Sequence, residues 1–170
     1  SVNPLNTERN GLTEDYDGIK PTYESINDQH IEDAYFSHLQ HLVDALNPDY
    51  LVMGIEANIL LSSSVEKWDQ YKLLMSNIRF RIRQAYPDLP ISESIALHDW
   101  QLPEPDSPPN YIQEITEYGE NFDFAAISFY PFLENFQTEA EIQAAFDFLH
   151  TQTSKPIAFV ETGSISEDLN

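Results

Sequence analysis

The chain contains no cysteine. That removes a disulfide framework and any thiolate metal site, and leaves the redox compartment open. No apolar run approaches the roughly 18 residues of a membrane span. The opening residues, SVNPLNTERN, lack an initiator Met and the charged-then-apolar pattern of a secretion signal, so a processed or partial chain is the expectation. Basic residues are scarce: 8 Lys and Arg stand against 29 Asp and Glu, a net charge of −21. Such a surface repels polyphosphate, which argues against a nucleic-acid partner, as the missing span argues against a membrane one. Anionic substrates are disfavoured for the same reason, whereas a neutral sugar is compatible. The acidic coat itself reads as a solubility or high-salt feature. No GxGxxG and no phosphate loop follows any apolar run, so nucleotide-binding folds lose ground.

What is present is a globular chain of 170 residues, 41% of them hydrophobic, a size that suits one domain over residues 1–170. Four short apolar runs stand out: Tyr50 to Glu56, Ile91 to Leu97, Phe124 to Tyr130, and Ile157 to Val160. Each is mostly apolar on both faces, as in a buried parallel sheet. Helical patterns separate them. Residues 28–46 place Ile31, Tyr35, Leu39, Leu42 and Leu46 at spacings of three and four, and Asn47-Pro48 stops them. A second helix begins at a capping box, Ser63 to Glu66, and ends before Pro87. It carries Lys67, Lys72, Arg79, Arg81 and Arg83, expected to form a solvated outer face paired with acids. A third spans about 110–118 with Gly119 as its stop, and a fourth follows a capping box from Thr138 to Glu141 and ends near His150.

Strands alternating with helices mean βα units and a parallel sheet. The expected fold is α/β, a (β/α)₈ TIM barrel, and such a barrel typically needs about 250 residues. Four strands do not close one. The chain is therefore expected to hold about strands three or four to seven of a barrel, with residues 1–24 as a long loop, and association with another chain is one way to complete it.

In such sheets the chemistry sits at the C-terminal strand ends. Those ends carry Glu56, then His98-Asp99-Trp100, then Tyr130, then Glu161. An acid turned inward at a barrel rim must be solvated, paired or functional. Two convergent carboxylates suit glycoside hydrolysis, in which one protonates the leaving oxygen and the other attacks or activates water. They also suit a metal centre, with Glu56, His98, Asp99 and Glu161 as ligands, or sugar binding without turnover. Trp100, Phe129, Tyr130 and Phe132 offer flat rings for a pyranose near the same rim, although Phe129 alternates away from Tyr130 and is expected in the core.

The stretches AISFYPFLENF (126–136), KPIAFVETG (155–163) and DYLVMGIEANIL (49–60) resemble the sixth, seventh and fourth strands of clan A glycoside hydrolases. The closest resemblance is to the family 53 β-1,4-galactanases. It implies a retaining two-carboxylate hydrolase of a neutral, β-galactan-like saccharide, without cofactor or metal, and a secreted or periplasmic home. Glu161 would be the nucleophile and Glu56 the general acid/base. Tyr130 would hydrogen-bond Glu161, and His98, Asp99 and Trp100 would line the sugar site. One position departs: the family's Asn before the acid/base, which contacts the sugar 2-hydroxyl, is Ile55 here. Ile neither donates nor accepts, and loss of one such donor costs about 10²–10³ in rate. Asn58 is the candidate substitute, from a different direction.

Overall fold

The computed structural model of the chain describes residues 3–15, 17–131, 136 and 138–163. Helix α1 (Gln29–Leu46) starts where the Asp28 side chain accepts from His30 N, and ends where Asn47 turns left-handed at φ 45° and donates to Val43 O. Its buried stripe is Ile31, Tyr35, Leu39 and Val43, so Leu42 and Leu46 lie off it. Strand β1 (Leu51–Val52) is followed by a short helix α2 (Ile59–Ser63). Helix α3 (Val65–Ala85) is capped by Ser64, one residue later than the sequence pattern indicates, because Ser63 closes α2.

Strands β2 (Ile91–Ser92) and β3 (Ser94–Ala96) are one extended run interrupted at Glu93. Helix α4 (Leu97–Gln101) leaves β3 directly, and α5 (Tyr111–Gly119), β4 (Ala125–Phe129), α6 (Glu139–Gln152) and β5 (Ile157–Thr162) follow. The expected capping box of α6 is present in full between Thr138 and Glu141. Three of the five basic residues of α3 pair with acids as expected, Lys72 with Asp69 and Glu114, Arg81 with Glu32 and Asp33, Arg83 with Asp123, whereas Lys67 donates to Asn10 O and Arg79 lies over the Phe122 ring.

All strand pairs are parallel: β1 with β2, β3 with β4, β4 with β5. The bonds Met53 N to Ser92 O (2.9 Å) and Ser94 N to Gly54 O (2.8 Å) carry the first pairing past its formal end. Spatial order therefore follows chain order, as in an arc of barrel, and right-handed crossovers then place successive helices on one face. Alternation along the strands splits the apolar residues accordingly. Leu51, Met53, Ile91, Ile95, Ile127 and Phe129 join the main core under the helices, while Val52, Phe124 and Ala126, with Ala158 and Val160, form a small cluster on the opposite face. Among the described residues the strands form a two-stranded sheet, β1-β2, and a three-stranded sheet, β3-β4-β5, linked through the β2–β3 run, and close no barrel.

Glu93 is the exception in the main core. It is 1% exposed and points between sheet and helices. Tyr71 of α3 donates to it at 2.7 Å, and Tyr118 of α5 at 3.0 Å to each oxygen. Burial pushes its pKa up to about 7, against the pull of the two hydroxyls and of Arg79. Gly54 accommodates this cluster: a Cβ there would lie 2.5 Å from the Tyr71 oxygen and 3.0 Å from Glu93 Oε2. Gly54→Ala is expected to lower unfolding free energy by about 2 kcal/mol, as overpacked sites do, seen as a lower urea midpoint at unchanged slope. The folded chain also keeps the Glu93 proton to higher pH than the unfolded chain, whose ordinary value is 4.5. Stability relative to Glu93→Gln is thus fullest below pH 4.5 and falls by about 3 kcal/mol as pH rises through 7. Urea unfolding of both proteins across that range measures it.

Candidate active site

Four residues after the two-residue ladder of β1 the chain reaches Glu56, with φ 51°. A left-handed non-glycine residue is strained and persists only where its surroundings hold it. Here the Glu56 N–H donates to Ser94 Oγ at 2.9 Å and the Ala57 N–H to Ser94 O at 3.2 Å. From the other side, Arg9 Nε donates to Ile55 O at 3.0 Å, and Asn3 Nδ2 reaches the same oxygen at 3.5 Å.

Glu161 arrives by a different device. Phe159 pairs with Ile127, but the next pair is Glu161 with Ser128, so β5 carries one extra residue, Val160. Without that bulge Glu161 would share a face with Phe159, whose ring packs on Phe146 of α6. With it, both Val160 and Glu161 lie on the face opposite the helices.

The two carboxylates meet at Ser128. Its hydroxyl lies 2.7 Å from Glu56 Oε1 and 3.2 Å from Glu161 Oε2. Laid end to end, those contacts keep the two oxygens within about 6 Å of each other, close enough for both to act on one glycosidic bond. A hydroxyl has one hydrogen to give, so Ser128 donates to one carboxylate at a time. The second Glu56 oxygen takes Arg9 Nη2 at 3.2 Å, in an ion pair whose side chains are 14% and 16% exposed. Arg9 is itself held by the Asn6 and Thr7 carbonyls. The phenol of Tyr130 is held above its ordinary pKa by desolvation, then by the charges of Glu161 and Glu56, with an opposing contribution from Ser128. That places Tyr130 in the field of both carboxylates.

The remaining sequence candidates divide. His98 and Asp99 are half-buried on α4, with His98 Nε2 2.8 Å from Asp99 Oδ2. That approach lies off the line of a good hydrogen bond, and among the described residues His98 Nδ1 and Asp99 Oδ2 find no such partner. The Asp99 contact raises the His98 pKa, burial opposes it, and the Asp99 and Glu56 charges add to the rise. His98 therefore stands within electrostatic reach of Glu56. Trp100 does not line the site: it is 2% exposed, donates to Ile112 O at 3.3 Å and meets Phe148 edge-on. A helix turns successive side chains by about 100°, so residues 98 and 100 diverge. Asn58 is not free to replace the family Asn: its amide is buried and spent on Ala96 N, Ala96 O and the Tyr111 hydroxyl. Phe129 lies in the main core, as expected, and Phe132 falls outside the described residues. The metal alternative loses support, since among the described residues no three His, Asp or Glu side chains converge as ligands.

Three contributors were missed: Arg9, Ser94 and Ser128. Ser128 had a signal, lying two residues before Tyr130 and so on its face of the strand. Arg9 had a weaker one, as the only basic residue before Lys20 in an acidic loop.

Residues 22–168 match the family model for glycosyl hydrolase family 53. The chain belongs to glycosyl hydrolase family 53. No curated protein matches it. A solved structure of a fungal beta-1,4-galactanase is similar, with a TM-score of 0.58 and 19% identity over 85% of this chain. At that identity the likeness concerns the fold alone, an α/β arrangement with parallel strands. The match spans 46% of the galactanase chain, so the family 53 chain covers under half of that structure's length. Arg9 lies upstream of the family match.

Arg9→Ala would take the charged donor from Glu56 Oε2 and leave Ile55 O with the longer contact from Asn3 Nδ2. A loss of about 2 kcal/mol in unfolding free energy is expected for such a mostly buried pair, measured by urea titration, with Arg9→Lys recovering only part because Lys lacks the fork that reaches both groups.

Proposed function

We propose that the site is a glycosidase centre acting on a neutral, β-galactan-like saccharide by double displacement. Glu161 attacks the anomeric carbon, and Glu56 protonates the leaving oxygen and then activates the water. The observation that carries this reading is the pair of strand-end carboxylates sharing one serine hydroxyl within about 6 Å, the spacing that leaves no room for a water between nucleophile and sugar. Family membership supports the reaction class. The acidic surface agrees with an uncharged substrate.

A second reading, sugar binding without turnover, is favoured by two particulars. Ile55 offers no donor where the family has Asn, and Arg9 occupies an oxygen of the carboxyl assigned to proton transfer.

Glu56→Gln and Glu161→Gln are each expected to abolish hydrolysis of an activated aryl β-galactoside. Proton NMR of the first-formed product should show the substrate's anomeric configuration. Unchanged rates in both variants would overturn the proposal. Oligosaccharide binding by the parent protein, without turnover, would select the second reading.

A further inference from the structure

Glu93 is an acid that the proposed reaction does not touch, yet it sits directly behind the turn that presents Glu56. From α3 it faces the Tyr71 hydroxyl and the more distant charge of Arg79, and from α5 the Tyr118 hydroxyl. From α1 it faces Tyr35, whose phenol is pushed up by burial and by the Glu93 charge, and whose hydroxyl donates to Met53 O at 3.0 Å. Its neighbours on the strand point the other way: Ser92 Oγ donates to Phe124 O, and Ser94 Oγ holds the Glu56 N–H. The Glu93 carboxyl also abuts the Gly54 Cα, where even one added carbon would not fit. Backbone bonds from residues 92 and 94 grip residues 53, 54 and 57 on both sides of that contact. A few bonds of rigid backbone thus separate the buried carboxyl from the strained Glu56.

We propose that Glu93 is a positioning residue for Glu56, and that gain or loss of its proton shifts residues 54–56 through the Tyr71–Tyr118–Gly54 contact, retuning the site from behind. As a carboxylate it accepts from both tyrosines. As an acid it must donate one hydrogen, so one of those short bonds reverses or lengthens, and Gly54 has no slack to absorb the change. Burial holds the transition near neutral pH. The inference rests on Glu56 being a functional carboxyl, but its test needs no turnover.

NMR titration of the parent protein with labelled glutamate carboxyls and backbone amides decides it. The Glu93 carboxyl and the Gly54, Glu56 and Ser94 amides are expected to shift together near pH 7. Glu93→Gln should flatten the three amides in that range, and Glu161→Gln should leave the midpoint in place. Tyr118→Phe, which removes one donor to the carboxylate without emptying the site, should move the midpoint upward. Amides that ignore the Glu93 carboxyl, that keep the midpoint in Glu93→Gln, that lose it in Glu161→Gln or that stay fixed in Tyr118→Phe would overturn the proposal. A chain that titrates this way yet hydrolyses no glycoside would overturn the glycosidase reading and leave this one standing.

Discussion

One serine hydroxyl lies between two carboxylates that the chain delivers from strand ends far apart in sequence, and the rest of the site is arranged so that this contact can exist. Placing two acids around one oxygen is unfavourable unless charge and hydrogen bonding offset it. Arg9 supplies the offsetting charge, crossing from an otherwise irregular N-terminal loop to Glu56. The loop is held internally by the Leu5–Leu12 bridge and by bonds such as Asn6 N to Gly11 O and Thr13 N to Pro4 O, and Arg9 and Asn3 tie it to the site.

The geometry also depends on departures from regular structure. Glu56 is left-handed, the central strand breaks at Glu93, and β5 carries an extra residue. Each departure re-aims a side chain: Glu56 towards Ser128, Glu93 into the helix layer, Glu161 away from it. The Glu56 turn is held by Ser94 and Arg9, and the Glu93 carboxyl is packed against Gly54 and Tyr71. Strain of this kind accumulates at functional sites because the reacting groups must be held where an unconstrained chain would not put them.

Much of the scaffold was legible in the sequence. Apolar runs marked the parallel strands, the Thr138–Glu141 box marked α6, and the strand-end rule found Glu56 and Glu161. The misplacements share a cause. His98-Asp99-Trp100 read as a continuing strand end, but the segment coils into α4, which keeps His98 near Glu56 and sends Trp100 into the core. Asn58 looked available because its partners, Ala96 and Tyr111, are remote in sequence.

The sequence by itself determined the class of fold, the acidic character and the identity of the two strand-end acids, because hydrophobic periodicity and strand direction are local properties. It did not determine that those acids would meet. Strict alternation places Glu161 with Phe159, on the helix side, and only the register shift against β4 turns it to Ser128. Register, the reach of Arg9 and the burial of Glu93 are settled by which segments pack together, and that is a property of the tertiary structure alone.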